Sequence, residues 1–122
     1  MVIQALRALT ALGDQASVPI ITKMVTDRSV TGVLKLEAIA AMSALIDVRG
    51  IDLLLDFVSD PTPSIRSGAF AALARLEPTT FLSVLAGLDA DDDWSVRAAL
   101  AAALGGLPGQ QGVPRLTVML QE

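Results

Sequence analysis

The residues of this sequence with the most obvious chemical potential are three aspartates at alternate positions, Asp89, Asp91 and Asp93. Their spacing matches the first three ligands of a calcium-binding loop. Such a loop also needs glycine at its sixth position and glutamate at its twelfth, and this sequence has Trp94 and Leu100 there. Paired carboxylates of a hydrolase would instead need a pocket and a partner of raised pKa, which a solvated turn does not supply. The aspartates therefore predict neither a metal site nor an active site.

The composition removes most other routes to catalysis. The 122 residues include no histidine, no cysteine and no tyrosine, so the common general bases, thiol nucleophiles and metal ligands are missing. A net charge of −4 argues against nucleic acid as a partner, because phosphate binding depends on lysine and arginine. We therefore expect a protein that is not an enzyme and holds no cofactor or metal.

Apolar runs in the sequence are much shorter than the roughly 18 residues of a membrane span. The apolar start of the chain lacks a basic leader and contains Arg7, unlike a secretion signal. The absence of cysteine fits a reducing compartment. These features predict a cytoplasmic protein that does not interact with membranes.

Four similar segments recur along the chain with a period of about 31 residues. They are Val2–Leu12, Lys35–Leu45, Arg66–Leu76 and Arg97–Leu107. Large apolar residues align in all four segments, at Leu9, Met42, Leu73 and Leu104, and again at Leu12, Leu45, Leu76 and Leu107. Spacings of three and four residues are those of one face of a helix. Each segment is therefore predicted to be a helix with one buried face.

A shorter apolar segment follows each of these helices. The four are residues 17–25, 50–58, 81–88 and 112–120. Pro19 and Pro114 occupy the same position in the register, and proline suits the first turn of a helix. The pattern thus predicts an all-α fold, an α-solenoid of eight helices in four hairpins within a single domain. The hairpins span approximately residues 1–27, 28–59, 60–90 and 91–122.

The aspartates now have a structural interpretation. Thr62 stands at a predicted helix N-cap followed by Pro63, and Asp93 has the same place before Trp94. An aspartate at an N-cap accepts hydrogen bonds from free backbone N–H groups and suits the positive end of the helix dipole. We therefore expect Thr62 and Asp93 to cap helices.

The segments "DPTPSIRSGAFAAL" and "DDDWSVRAALAAAL" share a pattern of aspartate, then arginine, then alanine and leucine at helical spacing. This pattern resembles the HEAT repeat family, and the short period is similar to the HEAT-like type of phycobilin lyase subunits and bacterial scaffold proteins. The resemblance implies a ladder in which a turn aspartate and a helix arginine bond across neighbouring repeats. The residues at its positions are Asp60 and Arg66, Asp91 and Arg97, and the weaker match Asp27 and Lys35.

The resemblance also implies that the first helix of each hairpin lines a concave face. The outward row of these helices contains Gln4, Arg7 and Ala11; Glu37, Ala40 and Ala44; Gly68, Ala71 and Arg75; Ala99, Ala102 and Gly106. Its abundant alanine has two interpretations: helix propensity with close repeat packing, or a smooth groove for a partner segment. In the second, Arg7, Glu37 and Arg75 are the predicted polar contacts.

We therefore expect a non-catalytic scaffold that binds another protein along this face. The alternative is an accessory subunit of a phycobilin lyase-like or other protein-modifying complex. The first and last segments, "MVIQALRAL" and "VPRLTVML", lack the polar faces that cap a solenoid. This predicts self-association through uncapped ends, or a chain that is part of a longer solenoid.

Overall fold

A computed structural model describes residues 1–121, and within that range the chain forms eight α-helices, two single 3₁₀ turns and no strand. The helices are α1 (Val2–Leu12), α2 (Val18–Thr26), α3 (Gly32–Leu45), α4 (Ile51–Phe57), α5 (Pro63–Leu76), α6 (Pro78–Ala86), α7 (Trp94–Gly105) and α8 (Gly109–Met119). The predicted all-α fold, an α-solenoid of eight helices, is confirmed. The odd-numbered helices α3, α5 and α7 are longer than the even-numbered helices that follow them.

The chain divides into two compact units, Met1–Gly50 and Ile51–Glu122. The first unit contains α1, α2 and α3, and the second contains α4 to α8. The division falls inside the second predicted hairpin, between α3 and α4.

The core of the first unit is built around α3, which packs against both α1 and α2. Ile39, Met42 and Leu45 are buried along α3 at the predicted three-residue spacing. Leu12, which was placed on the buried stripe, is 80% exposed. Within this unit α1 packs chiefly against α3, so only one of its faces is covered.

The core of the second unit is built around α5, which packs against α4, α6 and α7. Phe70 and Phe81 are buried, and their rings meet edge to face with centroids 6.3 Å apart. Leu73 and Leu104, two of the aligned leucines, are also buried. The repeat pattern therefore located the core of this unit correctly.

Helix α8 differs from the prediction at Pro114, which lies inside the helix and not in its first turn. The helix begins at Gly109, because residues after Pro108 form an additional first turn. Proline in the helix interior donates no hydrogen bond, and the acceptor four residues earlier is Gln110, which is exposed. Water can therefore satisfy the carbonyl that Pro114 leaves without a backbone donor.

Gly112 of α8 lies against the backbone of Leu104 in α7. A Cβ atom at this position would clash with the Leu104 carbonyl oxygen. Only glycine allows the two helices to pack this closely.

Candidate functional site

The same turn precedes α3, α5 and α7. In each, an aspartate carboxylate accepts a hydrogen bond from the backbone N–H two residues later, with a length of 2.9 Å. The pairs are Asp27 with Ser29, Asp60 with Thr62, and Asp91 with Asp93. A short carboxylate side chain can imitate a backbone turn in this way. This explains why the sequence has aspartate at all three positions.

The basic residue of each following helix binds back to its turn. Its side chain donates to the carbonyl oxygen of the turn aspartate: Lys35 to Asp27 at 2.8 Å, Arg66 to Asp60 at 2.9 Å and Arg97 to Asp91 at 2.6 Å. The longer gap between Asp27 and Lys35 does not prevent this contact. The Lys35 ammonium also donates to the carbonyls of Met24 and Val25 at the end of α2.

Arg66 and Asp91 form the ladder contact between neighbouring hairpins of the second unit. Arg66 Nε and Nη2 donate to the two carboxylate oxygens of Asp91 at 3.0 and 2.9 Å. The side chains are only 17% and 16% exposed. The bonds from Arg66 lower the pKa of Asp91, although burial of the carboxyl opposes the change. The arginine of one hairpin thus pairs with the carboxylate of the next, whereas within residues 1–121 the side chains of Asp60 and Arg97 hydrogen-bond only in their own turns.

The two predicted caps behave differently. Asp93 accepts from the Ser95 backbone N–H at 2.8 Å, and the Ser95 hydroxyl and N–H lower the pKa of Asp93. Thr62 occupies the predicted N-cap position of α5, but its side chain makes no capping hydrogen bond. A capping side chain accepts from the second or third N–H of its helix, and here the third, that of Ile65, already bonds to the Thr62 carbonyl.

Acidic residues are close to one another in the turn before α7, but they are not arranged as ligands. Across residues 1–121, no group of three or more acidic side chains is arranged to hold a metal ion. Asp91 binds Arg66, and Asp93 caps α7. Asp89 and Asp92 are exposed.

A trough lies between α1 and α3 in the first unit, with about 250 Å³ of open space. Its lining residues are Leu6, Arg7, Thr10 and Ala11 of α1, and Glu37, Ala40 and Ala41 of α3. Four of the seven are on the outward row predicted to bind a partner. The recess therefore includes part of the predicted outward row.

The trough is apolar except for one ion pair. Arg7 Nη2 donates to Glu37 Oε1 at 2.5 Å, and this contact raises the pKa of Arg7 and lowers that of Glu37. The side chain of Arg7 is 67% exposed, against 22% for Glu37. Thr10 adds little polarity, because its hydroxyl already donates to the Leu6 carbonyl at 2.8 Å.

The structure brings together two of the three predicted polar contacts. Arg7 and Glu37 bind each other, which the repeat analysis missed. The signal was present, because the register aligns position 7 with position 40, one helical turn from Glu37. Arg75 is exposed on the outward row of α5, in the second unit, whereas all the residues lining the trough are in the first.

Comparison with known protein families identifies these hairpins. The family described as HEAT repeats matches residues 31–105, which is more than half of the chain. The chain belongs to the HEAT repeat family. HEAT repeats generally mediate contacts between proteins. The match does not separate the short phycobilin lyase-like type from other HEAT repeats, so that assignment stays a prediction.

Two further comparisons, with curated proteins and with solved structures, gave no match. None of the helices within residues 1–121 has both the length and the apolar composition needed to cross a membrane.

Proposed function

We propose that this HEAT repeat protein is a non-catalytic scaffold that binds a segment of another protein in the trough between α1 and α3. The observation that carries the proposal is the trough itself, an apolar recess bordered by an accessible ion pair. Leu6 and Ala41 are almost fully buried and form its floor, while Ala11 and Ala40 are exposed. Small exposed side chains leave room for large anchors from a partner.

The size of the trough favours a side chain as the ligand over a whole cofactor. A cavity of about 150 Å³ can hold a benzene molecule, so 250 Å³ accepts one or two large apolar side chains. The remaining outward row of α1 and α3 is exposed at Gln4 and Ala44, which allows a partner helix to continue past the trough.

The proposal is tested by filling the trough. The native protein is first used to capture and identify its partner, and binding of the purified partner is then measured by calorimetry. Ala11→Trp places a large ring in the trough and is expected to weaken binding at least tenfold. Ala8→Trp is the matched control, because Ala8 is an exposed alanine on the same helix that does not line the trough.

Both variants are expected to keep the melting temperature of the native protein, since both positions are exposed. Equal binding by the two variants would show that the partner uses another surface.

A second observation favours association between copies of the chain. Large apolar residues are exposed on the first two helices, at Leu12 and Ile20, and on the last, at Val113 and Val118. Exposed apolar side chains on the first and last of these helices suit contact between copies of the chain. Light scattering after gel filtration is expected to show a mass that rises with concentration, and a monomer that is unchanged by dilution would contradict this.

The alternative role in a phycobilin lyase-like or other modifying complex stays a prediction. A change in the absorption spectrum of a bilin on adding the protein would support it over the scaffold role.

A further inference from the structure

From the chemistry of the trough we infer that its occupant is an acidic partner segment, which places a large aliphatic side chain in the recess and a carboxylate on Arg7. This inference rests on the proposed function, because it describes the ligand of the same trough. It goes further by specifying the charge and shape of the segment that binds.

Arg7 has hydrogen-bond donors that Glu37 does not use. A guanidinium group has five N–H donors, and among residues 1–121 only Glu37 receives a hydrogen bond from it, through Nη2. Nη2 has a second N–H, which together with either Nε or Nη1 forms an edge of two parallel donors that remains available to a second carboxylate. Arginine can bind carboxylates through two parallel hydrogen bonds, as Arg66 binds Asp91 in the second unit of this chain.

Arg7 is more accessible to a partner than Glu37. The Arg7 side chain is 67% exposed, whereas the Glu37 side chain is 22% exposed. An approaching segment therefore meets the cation of the pair before the anion. Glu37 holds Arg7 over the trough and leaves the outer nitrogens of Arg7 to the partner.

The two units of the chain differ in net charge. Residues 1–50 contain five lysines and arginines against four acidic residues, whereas residues 51–122 contain four against nine. The net charges are therefore +1 and −5. An acidic segment is therefore repelled less by the unit that contains the trough than by the other unit.

The rest of the trough lining is almost entirely apolar. Apart from the ion pair, the trough presents leucine, alanine and a threonine whose hydroxyl is already bonded. This surface offers an aliphatic anchor its main interaction, and its side chains give a polar anchor only the acceptor oxygen of Thr10. The adjacent guanidinium then selects the charge next to that anchor.

Three probes of nearly the same shape test the inference with the full chain: isocaproate, isocaproamide and isoamylammonium. Each is titrated while the backbone amide signals of Ala11 and Ala40 are followed by nuclear magnetic resonance. Ala71, on the equivalent row of the second unit, serves as the reference signal. We expect isocaproate to bind about three- to fivefold more tightly than the amide, the scale of a single exposed ion contact, and the ammonium to bind most weakly.

Two variants establish the cause. Arg7→Gln is expected to remove the preference for the carboxylate while the amide still binds. The double variant Arg7→Glu with Glu37→Arg keeps an ion pair but exchanges its charges, and it is expected to prefer the ammonium.

The inference is overturned if the ammonium binds the native chain as tightly as the carboxylate, if all three bind alike, or if no probe shifts the two reporter signals. Loss of partner binding in Ala11→Trp together with probes that bind alike would refute only the acidic character of the ligand. Partner binding unaffected by Ala11→Trp would instead refute the trough as the binding surface.

Discussion

Removing the Asp91 carboxylate is the most direct test of how the hairpins of the second unit are held together. Asp91→Ala eliminates two charged hydrogen bonds from Arg66, 3.0 and 2.9 Å long, and one from the backbone N–H of Asp93. It also leaves Arg66, which is 17% exposed, with only carbonyl partners.

The expected cost lies between two known limits. Breaking a fully buried ion pair costs about 3–5 kcal/mol, whereas an exposed pair contributes about 0–1 kcal/mol. Arg66 and Asp91 are about one-sixth exposed, much nearer the buried limit. Since Arg66 keeps its bonds to the carbonyls of Asp60 and Pro61, we expect a loss of about 2–3 kcal/mol.

Urea unfolding followed by far-ultraviolet circular dichroism measures this loss. With a denaturant slope of about 1.5 kcal/mol/M, the midpoint of the affected transition is expected to fall by about 1.5 M. A double-mutant cycle with Arg66→Ala should give a coupling energy of about 1.5–2 kcal/mol. The control is Asp92→Ala, an exposed neighbour for which we expect a change within about 0.5 kcal/mol.

The reasoning is wrong if Asp91→Ala costs no more than Asp92→Ala, or if the two substitutions in the cycle are additive. Either result would mean that apolar packing between α5 and α7 holds the hairpins together without the ladder.

Further predictions concern stability in acid, the contact between α7 and α8, and the turn before α3. The pKa of Asp91 is lowered in the folded chain, so the unfolded chain binds more protons below about pH 4. The free energy of unfolding should therefore fall as the pH drops through this range. Asp91→Asn should flatten this dependence of the free energy of unfolding on pH, measured by acid unfolding. Gly112→Ala should destabilise the folded chain by about 1–3 kcal/mol, because its Cβ would contact the Leu104 carbonyl. Gly105→Ala has open space around the new Cβ and should be neutral or slightly stabilising in thermal melts. Lys35→Met removes donors to the carbonyls at the end of α2 and should cost about 1–2 kcal/mol; an unchanged melting temperature would show that water replaces them.

Repetition made the fold predictable. Leucine and methionine at the same slot of successive segments indicated one buried helix face in each, and Met42, Leu73 and Leu104 are buried as expected. Leu9 is only partly buried, because α1 packs chiefly against one neighbour within its unit. A periodic pattern identifies the face a helix can bury, whereas the number of neighbours that cover it depends on where the helix lies in the array.

Prediction of the individual polar contacts was less complete, for a physical reason. A turn aspartate has two oxygens and can serve its own turn, the next helix or the neighbouring hairpin, and the sequence does not rank these. Asp93 caps its helix, while Thr62 at the equivalent position does not, and the Ile65 N–H that a cap could accept bonds to the Thr62 carbonyl instead. Local competition of this kind depends on backbone geometry.

The outward row was predicted by counting along a single helix, but the ion pair on this row depends on the packing of two helices. Arg7 and Glu37 were predicted separately as contacts for a partner, and each occupies a position on that row. Because α1 and α3 lie side by side, the two charges meet, and the pair presents one accessible cation beside an apolar recess. The specificity that we propose for the trough therefore arises from the packing of neighbouring repeats. This is why a charge exchange within the pair, which leaves the composition and the helices unchanged, is expected to reverse the preference of the site.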